Sequence, residues 1–398
     1  MDYDVVIIGG GPAGLSFARL LADTNLQILI VEKQDEKTLA NPAYDGREIA
    51  LTHLSHHIMS DTGMWAKIPS KSISLIKDAK VLNGDLDDAL FFDHRKSGKE
   101  NLGYMISNHL IRKAAYDVVK PLKNVTLMTG VEVADVKTDA HEGTVTLKGG
   151  KKITAKLVVA ADSRFSGTRR QMGIATDMHD FGRVCIVCRV KLDRDHDETA
   201  YECFLYDRTM AVLPLNGRYC SVVITIAAED ADLVLKQTPA EFGAEMTKRM
   251  EGKFGTMSLD TELFPYPLVG TYANKFYANR YALMGDAAVG MHPVTAHGFN
   301  FGLRGAATLA REIKAACDLG LDFGADDVLR RYHDDHRAAT LAMYIGTNTI
   351  VGLYTKTTPL AKLARKSLFK IGQHFPPAQK MIMNQLTEAN KEKSGKRA

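Results

Sequence analysis

YDVVIIGGGPAGLSFARLLADTNLQILIVE, residues 3 to 32, decides the fold. Tyr3 to Ile8 is nearly all apolar, the pattern of a strand buried on both faces, and Gln27 to Glu32 repeats it. Between them a glycine turn opens a helix from Ala13 to about Asp23, so the segment reads as strand, helix and parallel strand. Gly9-Gly10-Gly11-Pro12-Ala13-Gly14 fits G-x-G-x-x-G in that context. Gly9 permits the tight turn, Gly11 lets backbone approach a pyrophosphate, and Gly14 lets helix and strand pack closely. Pro12 and Ala13 open the helix, whose unpaired N–H groups carry roughly half a positive charge toward phosphates. Glu32, followed by Lys33, ends the second strand 18 residues after Gly14, where an acid can hold a ribose hydroxyl. The motif alone does not separate NAD from FAD.

A chain of 398 residues is too long for one compact core and predicts two or three domains. Five cysteines at irregular spacings encourage neither a disulfide scaffold nor a zinc site and suit a reducing, cytoplasmic setting. The start carries no basic leader, and no apolar run reaches the roughly 18 to 20 residues that span a bilayer. The net charge of +4 is uneven, because residues 336 to 387 hold seven bases and no acid, leaving the rest of the chain up to 335 net negative.

Further strands are expected around 125 to 136, 144 to 148 and 153 to 161. Successive antiparallel strands follow over 183 to 226, with a hairpin turn at Asn216-Gly217. A helix near 239 to 250 and an extended FPYPL (264 to 268) close this second unit. Tyr281 to Met284 then reads as a strand leading into GDAAVGMHPVTAHGFNFGL (285 to 303), and helices dominate from Phe299 onward. An acid at the end of a buried strand, Asp286, followed by small residues, suits a ligand whose polar chain lies against backbone. Gly298, Phe299 and Asn300 begin a helix whose free N–H groups can face such a ligand.

LVVAADSRFSGTRR (157 to 170) ends another buried strand with Asp162, Ser166 and Arg169 spaced D-x-x-x-S-x-x-R. With the N-terminal fingerprint and Gly285-Asp286, these stretches resemble the three signatures of the single-component FAD-dependent aromatic hydroxylases. DGREIAL (45 to 51), GYMISN (103 to 108), ECFLYDRTMAVLPLNGRYCSVV (202 to 223), Tyr266-Pro267-Leu268, HPVTAHGFNFGLR (292 to 304) and RKSLFKIGQHFPPAQKMIM (365 to 383) resemble, more closely, the ubiquinone-biosynthesis hydroxylases. The chain departs from the family pattern at Ser163, where glycine is usual, and at Val289, where histidine is common. It also carries Ala296-His297 in place of Gly-Gln, and Gly305 after Arg304 in place of an acid. These substitutions resemble the broad-regioselectivity branch.

The resemblance implies an α/β fold. Its Rossmann-like FAD-binding domain of the aromatic-hydroxylase type is drawn from 1–72, 101–175 and 270–335. A β-rich substrate domain (73–100 and 176–269) is inserted, and a helical C-terminal region (336–387) and a disordered tail (388–398) follow. It implies tightly bound FAD, transient NAD(P)H and O₂ as co-substrate, with a flavin C4a-hydroperoxide hydroxylating the ring of a polyprenylated phenol or quinol, for example at a demethoxyubiquinol C5 position. Arg47 and Asn108 would contact FAD, Val133 would pass near adenine, Asp162 would face flavin and visiting nicotinamide, and Asp286 would bond the ribityl or pyrophosphate region. Pro293 would border both isoalloxazine and substrate. No acid–base residue is required, and Tyr266, His292, Pro293 and His297 are the substrate-pocket candidates.

Other features read more plainly. Cys185-Ile-Val-Cys188 lies in a strand pattern, where an offset of three turns the side chains to opposite faces. His333-Asp-Asp-His336, like His56-His57, reads as a solvated helix surface without a third metal ligand. On a helix through 360 to 371 the bases Lys362, Arg365, Lys366 and Lys370 oppose an apolar face; this is either a docked helix or a peripheral contact with an anionic membrane or a quinone-synthesis complex. No nucleic-acid partner is expected. Another flavin oxidoreductase on the same scaffold and a flavin-retaining subunit without turnover are the alternatives, although the sole tryptophan, Trp65, cannot supply a halogenase's tryptophan-rich motif.

Overall fold

The computed structural model describes residues 1–84, 89–205, 208–292 and 297–355 together with Met383, Asn384, Thr387 and Glu388. In the first sheet, β1 (Tyr3–Ile8) lies between β2 (Ile28–Glu32) and β11 (Lys152–Ala160), parallel to both. Parallel β8 (Val125–Thr129) continues it beyond β2 and parallel β19 (Tyr281–Leu283) beyond β11. Antiparallel β9 (Val133–Thr138), β10 (Gly143–Leu147) and β18 (Tyr277–Ala278) complete its edges. Val5, Val6, Ile7, Ile28, Leu29 and Ile30 are fully buried, which is why these strands read as unbroken apolar runs rather than alternating ones. Helix α1 (Pro12–Leu20) packs between α4 (Asn108–Val119) and α8 (Gly298–Asp318). Short α2 (Glu36–Ala40) packs on α4, and α3 (His53–Asp61) packs on α8.

The second sheet runs β20 (Val289–Gly290), β17 (Phe264–Ala273), β12 (Thr176–Leu192), β15 (Tyr219–Ala227), β14 (Thr209–Leu215), β13 (Thr199–Phe204), β5 (Asp78–Asn83) and β6 (Ala89–Phe92), with β16 (Met257–Leu259) on β12. Ile186, Cys188, Val190, Met210, Val222 and Ile224 point to a core closed by Phe242 and Met246 of α7 (Pro239–Arg249), which a complete capping box at Thr238 and Glu241 starts. The opposite face looks toward β3 (Glu48–Leu51) and the loop before it: Arg189 reaches Glu48 at 3.1 Å and the Tyr266 hydroxyl donates to Asp45 O at 2.6 Å. Cys185 and Cys188 fall on opposite faces, and burial pushes both thiols up to about 12. A small third sheet, β3 (Glu48–Leu51), β7 (Gly103–Ser107) and β4 (Ser74–Ile76), bridges the two. The short helices α5 (Gly167–Gln171) and α6 (Asp232–Leu235) end connecting loops.

Helix α9 (Asp326–Thr355) runs without a break across residue 335 and packs on α8. Its two histidines correct the expectation of a solvated face. His336 is only 1% exposed, His333 Nδ1 accepts the Phe276 N–H at 3.2 Å, and burial drives the His336 ring down to about 3. A long helix docked on two sides hides residues that a one-sided amphipathic pattern leaves outside. His336 also explains the glycine after Arg304, because a Cβ at Gly305 would stand 2.8 Å from its Nε2. His56 is likewise no free surface residue, since its ring meets Trp65 at 4.3 Å and Tyr104 at 4.8 Å. Among the described residues no helix is long and apolar enough to cross a membrane. The basic stretch through 360 to 371 lies outside them.

Candidate cofactor and substrate site

The site begins where β1 ends. Gly9 has φ +111°, and a Cβ there would lie 2.4 Å from Ala161 O, the residue following β11. A Cβ on Gly14 would lie 2.1 Å from Gly9 O, whereas one on Gly11 would meet nothing within 4 Å. The turn is thus tight on its protein side and open on its outer side, where Gly11 caps α1 and Pro12 and Ala13 form the first turn. Glu32 is buried beside it: Oε2 accepts from Gly10 N–H at 2.5 Å and Oε1 from Gln34 N–H at 2.8 Å. Lys33 is exposed, and Val133 opens β9 two residues after Val131, whose N–H donates to Glu32 O at 3.0 Å.

The late glycines close the same site. At the end of β19, Gly285 takes φ +58°, and a Cβ there would lie 3.2 Å from that of Ala13. A Cβ on Gly302 would lie 3.5 Å from Gly285 Cα and 3.7 Å from Ala13 Cβ. Three segments far apart in sequence therefore meet through small residues, and α8 starts beside them at Gly298, with Phe299 and Asn300 in its first turn. Asn300 Oδ1 accepts the Thr52 N–H at 3.1 Å and its amide donates to Ala50 O at 2.9 Å, which locks α8 to the end of β3.

Asp162 and Asp286 sit at the two neighbouring strand ends. The Asp162 carboxylate accepts from Thr168 Oγ at 3.0 Å, while its Oδ1 is buried with no partner among the described residues. Asp286 is held by Arg164 at 2.9 Å, and buried Arg169 donates to Ala287 O at 2.8 Å and Arg164 O at 3.1 Å. Arg169 thus ties the second motif to the third. Between Asp162 and Arg164, Ser163 holds φ +100°, a conformation that favours glycine. Ser163→Gly is expected to raise stability by about 1 kcal/mol, read as a higher midpoint in urea unfolding of the FAD-loaded protein.

A third group gathers on Asp45. Arg47 pairs with its carboxylate at 2.5 Å, the Asn108 amide donates to it at 2.7 Å, and Arg47 lies over the Tyr266 ring at 5.3 Å. Burial opposes ionisation of Asp45, but these hydrogen bonds outweigh it and hold the carboxyl below its ordinary range. Arg47, Asn108 and Tyr266 are therefore brought together around Asp45.

A cavity of about 150 Å³ opens beside α8, lined by Leu51, Phe92, Ala200 and Met383 with His297 and Asn300 at one side. Tyr266 and His292 are not among its described lining residues. His292 packs edge-on against Phe181 at 4.8 Å, and burial with the nearby Arg183 charge pushes it down to about 4. Pro293 and Ala296 lie outside the described residues. Glu388 is only 1% exposed, which removes it from the expected disordered tail: it pairs with Arg304 of α8 at 3.2 Å and accepts from Thr52 Oγ at 3.0 Å. Asp45, Arg164 and Glu388 are the residues the sequence reading missed. An acid two residues before Arg47 was a local signal for the first, whereas the other two needed the fold.

Residues 2–344 match the FAD binding domain family. The chain is 48% identical over 391 residues to ubiquinone hydroxylase UbiM of Neisseria meningitidis, covering 97% of this chain and 85% of that one. It is 33% identical to ubiquinone hydroxylase UbiL of Rhodospirillum rubrum, over 96% and 88% of the two chains. Among solved structures it resembles p-nitrophenol 4-monooxygenase PnpA of Pseudomonas putida, at 19% identity and a TM-score of 0.77 over 96% and 98% of the chains.

Proposed function

The chain belongs to the ubiquinone-biosynthesis flavin hydroxylases, within the FAD-binding-domain family, and from that premise we propose an FAD-dependent monooxygenase that hydroxylates the aromatic ring of a polyprenylated phenol or quinol, consuming NAD(P)H and O₂. The observation that carries it is the meeting of Ala13, Gly285 and Gly302 between an open glycine turn and the start of α8, next to an apolar cavity. FAD fits these residues, since the outer side of Gly11 is free for a pyrophosphate and a Cβ on Gly298 would meet nothing within 4 Å. FAD supplies the redox and oxygen chemistry when bound.

The protein's own part is binding, orientation and dryness. The α1 N-terminus receives the pyrophosphate, Glu32 keeps lone pairs for a ribose hydroxyl, and Arg47 and Asn108 flank the cofactor's path. Asp286 is steadied by Arg164, and Gly298, Phe299 and Asn300 offer backbone N–H groups where negative charge develops on a reduced ring. Leu51, Phe92, Ala200 and Met383 keep water from the reacting ring. His297, which lines this cavity, and Val289, in β20, differ from the usual family residues, and we assign them to the choice of ring carbon. The acid-free basic stretch 336–387 supports peripheral contact with an anionic membrane, from which a prenylated substrate can be drawn.

The test is a purified, FAD-loaded enzyme given NADH or NADPH and a short-chain prenyl phenol in detergent. One hydroxylated ring per O₂ consumed is the expected stoichiometry. NAD(P)H oxidation without O₂ uptake or ring oxidation would leave a reductase, and flavin binding without either would leave a non-catalytic subunit.

A further inference from the structure

One carboxyl stands within the inner face of the second sheet. In β13, Tyr201 and Cys203 point into the core under α7, so strand alternation turns Ala200 and Glu202 the other way. Ala200 lines the cavity, and Glu202 follows on the same face about 7 Å further along the strand. Its cross-strand neighbours are Val81 on β5 and Ala211 on β14, with Val223 and Val187 next in the row. A carboxyl among valines and alanines is costly unless something meets it.

Two more polar groups share this face without partners. Ser221 is 1% exposed, and neither its hydroxyl nor Arg189 Nε has a hydrogen-bond partner among the described residues. Ser221 and Arg189 are themselves cross-strand neighbours, and Ser221 lies two strands across and two residues along from Glu202, about 12 Å away. That separation, shortened by the reach of the glutamate side chain, suits an aromatic ring carrying oxygens on opposite sides. A half-buried carboxyl on one flank of this surface and buried polar atoms without partners among the described residues on the other are the mark of a surface completed by a ligand.

We infer that Glu202 binds a ring oxygen of the phenol or quinol and so fixes which edge of the ring faces the cofactor, with the Ser221 hydroxyl as the second anchor. This rests on the proposed function, because the ligand it names is that reaction's substrate. A neutral carboxyl can both donate to and accept from ring oxygens, whereas an ionised one would have to be closed under an apolar substrate. Burial alone raises Glu202 to about 8. The ionisable groups that face the same cleft are Arg183, Cys185, Arg189 and Lys191 along β12, Tyr219 on β15, Tyr266 on β17, and Glu48, Arg47 and His297 across it. Substrate therefore selects the neutral form, and KM is flat below pH 8 and rises about tenfold per pH unit above it.

The experiment compares the FAD-loaded wild type, Glu202→Gln and Glu202→Leu with a short-chain prenyl phenol in detergent, following KM, hydroxylated product per NAD(P)H, and product position between pH 6 and 9.5. Glu202→Leu is expected to raise KM about tenfold and to scatter or uncouple the product. Glu202→Gln should recover part of that loss and abolish the rise above pH 8, since an amide cannot ionise. Flavin absorbance of both variants reports an intact fold. Wild-type KM, coupling and position in Glu202→Leu would overturn the assignment, and so would an alkaline rise that persists in Glu202→Gln, even if the leucine variant does not fold. A wild type that forms no hydroxylated ring overturns the proposed function instead.

Discussion

Gly14→Ala should emerge without flavin. The added Cβ would sit 2.1 Å from the carbonyl oxygen of Gly9, a backbone atom that is itself fixed, because a Cβ at Gly9 would be only 2.4 Å from Ala161 O. Neither side of this contact can move without separating α1 from β1 or β1 from β11. Overpacking that cannot relax costs about 3 kcal/mol, which at the cofactor site corresponds to roughly 100-fold weaker FAD binding. Flavin absorbance after gel filtration and FAD titration of the apoprotein check it. Gly11→Ala is the control, since its Cβ meets no protein atom; loss of FAD in that variant reports the approach of the ligand to backbone. Near-normal FAD affinity in Gly14→Ala would show that the turn is looser than its geometry.

The second large effect is expected at the other end of the chain. Glu388→Gln leaves Arg304, whose side chain is 16% exposed, beside a neutral amide in a site closed to bulk water. Removing one member of such a pair costs about 3 kcal/mol, even where the pair as a whole contributes little net stability. Replacing both, as Arg304→Met with Glu388→Met, should therefore recover most of the loss. Urea unfolding of the wild type, Arg304→Met, Glu388→Met and the double variant closes the cycle. The expected accompaniment is a higher KM for substrate, because Met383 and Thr387 of the same segment line the cavity. Additive losses in the double variant would mean that the two residues do not act as a pair.

Much of the scaffold was legible because local chemistry and global fold agree there. The strand, turn and helix of residues 3 to 20, the strand ends at Asp162 and Asp286, and the helix start at Gly298 all rest on short-range rules of burial, glycine and capping. The opposed faces of Cys185 and Cys188 follow from alternation alone. What was not legible depends on partners from elsewhere. His336 looks like a surface residue until α9 is docked against Gly305 and Phe276. Arg164 and Asp286 are 122 residues apart, and nothing local pairs them. Glu388 sits in a sequence whose composition reads as a tail, yet one carboxylate at the right place meets a buried cation. Glu202 shows the limit most clearly: period-two alternation says that it differs from Tyr201 and Cys203, but only the second sheet's covering by α7 tells which side is core and which is cleft.

The contact among Ala13, Gly285 and Gly302 sets an order of events in synthesis. β1 and α1 are made first, but β11, which flanks β1, ends at Ala160, and β19 and the start of α8 follow some 120 residues later. The nascent glycine turn therefore waits, with its neighbouring strand position and one wall missing, while most of the protein is translated. Flavin cannot be clamped until residue 302 has emerged and folded back on residue 13. A chain released before β19 and α8 are made exposes the edge of β11 and the face of α1 that α8 covers, with no cofactor beside them, so FAD matters most late, when it converts a late-closing seam into a finished core.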